Sequence, residues 1–207
     1  MATATIKTRM TLGPNSAGSL LSPEEFDSAR FRGTWRYELI NGVLIVSPSP
    51  RKQERDPNEE LGYLLRKYRD EHPQGSAMDL TLPEETIHST PNRRRADRVI
   101  WAGLGRDPSD DDSPTIIVQL VSKGRAAHTR DHVVKREEYA TIGTREYVIF
   151  DRFQRTVTVM DYAAPGSSPR MLGEKDMYRT PILPGFEVSI ARLFALADRW
   201  DRKPKTT

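Results

Sequence analysis

The sequence predicts a single α/β or α+β domain built on a mixed sheet, and three observations carry that expectation. Runs of β-branched and aromatic residues recur between segments with helical spacing. One continuous apolar run, TIIVQLV at 115–121, has the composition of a central strand covered on both faces. Two more runs, REYVIFDR and TVTVMDY, follow one another closely enough to pair. With 207 residues, 36% of them hydrophobic and 29% charged, the chain is long enough for one substantial core and short for two.

Taken in order, residues 1–19 are rich in Thr, Ser, Gly and Ala and read as a flexible segment; residues 20–200 form the expected domain and 201–207 a polar tail. Ser22, Pro23 and Glu25 have the spacing of a capping box that opens a short helix. In WRYELINGVLIVSPSP the dipeptide Asn41-Gly42 favours a type I′ turn, so a hairpin is expected. A helix is expected from Asp56, with Pro57 in its first turn and Leu61, Leu64, Leu65 and Tyr68 on one face. SAMDLTLP and ADRVIWAG read as strands. Residues 131–142 read as a helix packing through Val134, Tyr139 and Ile142. LPGF marks a turn, and Ser189 caps a last helix carrying Leu193, Phe194 and Leu196.

Composition narrows the chemistry. The absence of cysteine removes disulfides, thiolate metal sites and a cysteine nucleophile. No signal-peptide core and no run near the roughly 20 apolar residues of a membrane span is present, so a cytoplasmic protein without a membrane partner is expected. The formal charge of +3 permits a nucleic-acid partner without arguing for one. There is no Walker loop, no G-x-S-x-G elbow and no dinucleotide fingerprint, and His128 and His132 lack the H-E-x-x-H context of a helical zinc pair.

Polar residues inside apolar runs are the informative exceptions. Gln119 interrupts a strand, Asp97 heads another, Glu38 lies within the hairpin and Lys135 sits on the helix after Gln119. If they converge, Glu38, Asp97 and the Gln119 amide oxygen offer ligands to a hard cation such as magnesium, which keeps several waters and accepts a sparse protein shell. Lys135 could then orient water or neutralise a phosphate, a combination suited to phosphodiester hydrolysis.

YELINGVLIVSPSP, RRRADRVIWAG and TIIVQLVSKG followed by RDHVVKREEYATIGTREYVIFDR resemble the Uma family of restriction endonuclease-like proteins within the PD-(D/E)XK nuclease superfamily, over roughly Leu21 to Phe194. The most specific part is D-x-x-x-K-x-x-x-Y, here Asp131, Lys135 and Tyr139, leading into GTREYVIFD. The resemblance implies a restriction-endonuclease-like mixed sheet flanked by helices, a DNA substrate, a Mg- (or Mn-) dependent site and often a homodimer. Glu38 matches the family's early acidic residue, Asp97 its proline-aspartate motif with Ala96 in place of the proline, and Lys135 its helical lysine. Gln119 stands where the family carries glutamate, and Asp56 near where it commonly shows histidine.

Structural readings stand beside these. Asp97 could cap a turn or pair with an arginine of NRRR; Gln119 could be a hydrogen-bonded buried amide; Asp131 and Lys135 could form an ordinary helix pair; Glu38 could lie on a solvated edge; and Tyr139 is expected to pack on the sheet. Arg93, Arg94 and Arg95, together with Lys123, are candidates for phosphate contact, and the arginine run could equally be a hydrophilic turn. A noncatalytic nucleic-acid-binding or protein-interaction domain that keeps the nuclease fold is the alternative function.

Overall fold

A computed structural model of the protein describes residues 9–122, 134–164 and 166–201. The described residues group into two compact units, the first drawn from those up to 49 together with 86–95 and the second from 50–85 together with those from 96 onward. The chain therefore leaves the second unit after Glu85 and returns to it at Ala96.

In the first unit, the capping box is formed as expected. Ser22 accepts from the Glu25 N–H at 3.2 Å and Glu25 accepts from the Ser22 N–H at 2.8 Å, opening α1 (Pro23–Ser28). Short strands β1 (Thr11–Leu12) and β2 (Arg30–Phe31) pair in parallel. The expected hairpin is β3 (Arg36–Ile40) and β4 (Val43–Ser47), antiparallel, with positive φ at Asn41 and Gly42 as a type I′ turn requires. A second hairpin, β6 (Thr86–Ser89) and β7 (Asn92–Arg95), completes a sheet in the order β4-β3-β7-β6. Leu12, Leu21, Phe26, Tyr37, Leu39 and Leu44 form its core.

The second unit is built on a six-stranded sheet in the order β12-β11-β10-β9-β8-β5, from β5 (Met78–Pro83), β8 (Arg98–Ala102), β9 (Ile116–Leu120), β10 (Glu146–Asp151), β11 (Thr156–Asp161) and β12 (Arg170–Gly173). The run at 115–121 is the central strand expected of it: β9 is buried throughout, parallel to β10 and antiparallel to β8. The consecutive strands β10 and β11 pair antiparallel, so the sheet is mixed.

Alternation along the strands sorts the side chains into two faces. Ile100, Ile116, Val118, Val148 and Phe150 share a core with Leu61 and Leu65 of α2 (Lys52–Glu71) and with Leu193 and Phe194 of a C-terminal helix, Ile190–Asp198. Ser189 caps that last helix by accepting from the Arg192 N–H at 3.3 Å, as expected. Helix α2 starts four residues earlier than the sequence suggested, because Glu54 accepts from the Arg51 N–H at 2.6 Å; Pro57 is inside the helix. The helix in 131–142 is α3 (Lys135–Ala140), which makes the C-terminal helix α4. Its packing surface differs from the expected one: Lys135 and Tyr139 are buried, while Val134 is exposed. Burying a lysine there requires a polar partner inside the unit.

One buried acid of this unit has a clear pH consequence. Glu146, at the start of β10, accepts a hydrogen bond from the Tyr178 hydroxyl of β13 (Met177–Arg179), a strand paired with β14 (Glu187–Ser189). Burial raises the Glu146 carboxyl above the usual carboxylate range, against the opposing pull of hydrogen bonds from Tyr178 and Thr180 and of the Arg170 charge. The folded protein thus holds this proton more tightly than the unfolded chain, and stability contributed by the neutral acid should decline as pH rises from about 4.3, the unfolded value, through the raised folded value. Thermal melts across this range should show that loss in the wild type and a smaller one in Glu146→Gln; equal slopes would refute the assignment.

Candidate active site

Strand register brings the first two residues together. Arg98 lies opposite Val118 and Val99 opposite Ile117, so the antiparallel register carried one residue further sets Asp97 against Gln119. Both then share the face of Val99 and Ile117, away from α2 and α4. Helix α3 covers this face: Tyr139 meets the Tyr147 ring edge-on at 5.0 Å, and one turn earlier Lys135 reaches the sheet.

The three side chains form a continuous chain of hydrogen bonds. Lys135 Nζ donates to Gln119 Oε1 at 3.0 Å, and Gln119 Nε2 donates to Asp97 Oδ2. The Leu120 N–H donates to the same Asp97 oxygen at 2.7 Å. Charge fixes the direction of the amide, since turning it would set N–H against the ammonium and oxygen against the carboxylate. Asp97, Gln119 and Lys135 are 2%, 1% and 1% exposed. One negative and one positive charge are thus bridged by a neutral amide.

A second network holds Asp97 from behind and was not foreseen. Asn58 Nδ2 donates to the Asp97 carbonyl at 2.7 Å while Asn58 Oδ1 accepts from Arg98 Nε at 2.8 Å. Arg98 also donates to the Asn58 carbonyl at 2.9 Å and to Thr81 Oγ1 at 3.2 Å. Its guanidinium is fully buried and hydrogen-bonded to neutral acceptors, and desolvation lowers its pKa to about 10 against the pull of the Glu59 and Glu84 charges. Gly62 is needed for this approach, because a Cβ there would come within 2.5 Å of Arg98 Nη2. A signal for Asn58 existed in the sequence, since it precedes Leu61 and Leu65 at helical spacing on the core face.

The other candidates are placed as follows. Glu38 belongs to the first unit, where it is buried rather than on a solvated edge and accepts from the Arg95 N–H at 3.0 Å. Arg93 forks onto Asp27 with contacts of 2.8 and 2.6 Å, holding the Asp27 carboxyl below its usual range. Arg93 and Arg94 are buried within strand β7, which corrects the reading of the run as a hydrophilic turn. Arg95 is half-buried and donates to Thr86 Oγ1 at 2.9 Å. Asp56 accepts from Trp200 Nε1 at 2.8 Å and pairs with Arg199. Lys123, His128, Asp131 and His132 lie outside the described residues.

Among the described residues, no three His, Cys, Asp or Glu side chains gather as a metal site. Asp97 and the Gln119 amide oxygen are the remaining candidate ligands, but the amide turns its Nε2 to Asp97 and its oxygen to Lys135, so holding one ion between them requires the amide to turn. Lys135 already occupies Gln119 Oε1, so such an ion would compete with an ammonium for that atom.

Comparisons with known proteins agree with this architecture. The family model Uma2, described as "Putative restriction endonuclease", matches residues 23–191. The crystal structure of a "putative nuclease belonging to DUF820" from Anabaena variabilis is similar, with a TM-score of 0.66 over 86% of this chain and 99% of that one. At 14% identity, that likeness is one of fold. A comparison with curated proteins found no match. Among the described residues, no helix is long and apolar enough to cross a membrane.

Proposed function

The chain belongs to the Uma2 family, and from that premise we propose that it is a nuclease that hydrolyses DNA phosphodiester bonds with the chain Asp97–Gln119–Lys135 as its centre. The observation that carries this reading is the hydrogen-bonded path from Lys135 through Gln119 to Asp97, which joins an acid, an amide and an ammonium from three separate elements. Mg or Mn would be held by Asp97 and a phosphate oxygen, with the Gln119 oxygen joining once its amide has turned from Lys135. When bound, such an ion supplies Lewis-acid stabilisation of the phosphate and a more acidic water.

The residues of the chain have separate tasks in this reading. Lys135 is the hydrogen-bond donor for a phosphate oxygen or for the attacking water, and it offsets negative charge as it grows on the phosphate. Gln119 holds the ammonium in place while orienting Asp97. The Leu120 N–H fixes the other approach to the carboxylate, and Asn58 anchors the backbone from which Asp97 projects. Since the three side chains are buried, a cleaving protein must open this centre to its substrate.

A second reading is favoured by the neutral Gln119 amide at the centre of this chain: the domain binds nucleic acid or a protein partner without cutting. One experiment separates the two. Supercoiled and single-stranded DNA are incubated with wild type and Lys135→Ala in Mg, Mn or EDTA. The nuclease reading expects cleavage by the wild type only with metal, and a loss of about 10²-fold or more in Lys135→Ala. Binding with no metal-dependent product, or cutting that survives Lys135→Ala unchanged, rejects the assigned centre.

A further inference from the structure

The second unit contains a cleft of about 670 Å³ that the Asp97–Gln119–Lys135 chain does not use. Its volume lies within the roughly 300–1,000 Å³ of small-molecule sites. Glu146 lines it together with Arg170, Ser167, Ser168, Pro181, Pro184 and Phe186. The last three supply apolar surface for a flat body, and the serines supply hydroxyls near a cation.

Its charges differ in their commitments. Arg179 is spent on Glu187, with contacts of 2.9 and 2.7 Å. Asp161 Oδ1 accepts from the Ala163 N–H at 2.9 Å. Glu146 is 4% exposed and is held by the Tyr178 hydroxyl. Among the described residues the Arg170 guanidinium makes a single hydrogen bond, from Nη2 to the Arg179 carbonyl at 2.9 Å, and its charge also acts on Glu146; most of its five donors are left for another acceptor. Asp161 opposes a heavily charged guest, so the cleft suits a compact anionic head on Arg170 and not a polyphosphate.

We infer that this cleft is a second binding site, separate from the Asp97–Gln119–Lys135 chain, for a small molecule that joins one compact anionic head to a flat apolar body. The head sits on Arg170 within reach of Ser167 and Ser168, and the body lies against Pro181, Pro184 and Phe186. An aromatic carboxylate and a nucleoside monophosphate share this chemistry.

The test is titration of the full chain, by calorimetry or by NMR shifts, with 4-hydroxybenzoate, guanosine monophosphate and inorganic phosphate. At least one organic probe should bind more tightly than inorganic phosphate, and the stronger of the two identifies the source. Arg170→Gln should weaken it by about tenfold or more, as loss of a charge-assisted contact does. Ser168→Trp, a substitution on an exposed segment that fills the cleft, should also weaken binding, whereas Lys135→Ala should leave it unchanged. The site is overturned if neither organic probe binds at about millimolar concentration, if inorganic phosphate binds equally well, if a folded Arg170→Gln binds like the wild type, or if Lys135→Ala abolishes binding.

Discussion

Asp97→Ala should lower the stability of the second unit by about 3–5 kcal/mol and abolish any metal-dependent cleavage. The Asp97 carboxylate accepts from two buried donors, the Gln119 amide and the Leu120 N–H. Removing it strands both, and each unsatisfied buried donor costs about 1–3 kcal/mol. The change also removes the negative charge at the far end of the hydrogen-bonded path from the buried Lys135 ammonium. Urea denaturation reads the effect as a lower midpoint with an unchanged slope. Asp97→Asn keeps an acceptor oxygen and much of the volume, so it should lose less stability while losing as much activity. A destabilisation below about 1 kcal/mol in Asp97→Ala would show that these bonds contribute little to the fold.

The second large effect belongs to Gln119→Glu. A carboxylate there loses the amide donor that now meets Asp97 Oδ2 and sets two negative charges side by side. Without a divalent ion the variant should melt below the wild type. With one, the added charge becomes a ligand: two unit charges about 4 Å apart attract by about 4 kcal/mol at an effective dielectric of 20, an upper bound before dehydration is counted. The expected result is at least tenfold tighter Mn or Mg binding, seen as a melting temperature that climbs with metal far more in Gln119→Glu than in the wild type. A variant whose melting is indifferent to metal would mean that this pair of side chains does not hold a cation. Gain of cleavage on gain of metal would identify Gln119 as the substitution that limits a working nuclease centre. Gain of metal alone would favour the binding reading.

Legibility in the sequence followed the range of the interactions. The Ser22 capping box, the Asn41-Gly42 hairpin and the Ser189 cap are set by neighbours within a few residues, and each formed as expected. The start of α2 moved because a reciprocal contact between Arg51 and Glu54 competed with the proline signal. The β6–β7 hairpin escaped notice because its arginines read as solvent-facing, whereas Arg93 is neutralised by Asp27, 66 residues away in the chain. Such a partner has no local signature.

The sequence by itself determined that a glutamine would sit in a central strand, that an aspartate would head its neighbour and that a lysine would follow on a helix, because hydrophobic period and turn chemistry are local properties. It also supplied the family resemblance. Only the tertiary structure decided that Asp97 and Gln119 face one another across the β8–β9 register, and that Lys135 turns inward while Val134 turns out. It alone decided that Arg98, one residue from Asp97, serves the opposite face through Asn58. The reason is physical: register and helix rotation are fixed by burying many side chains at once, and a buried charge is tolerated only where that global packing also delivers its hydrogen-bond partner.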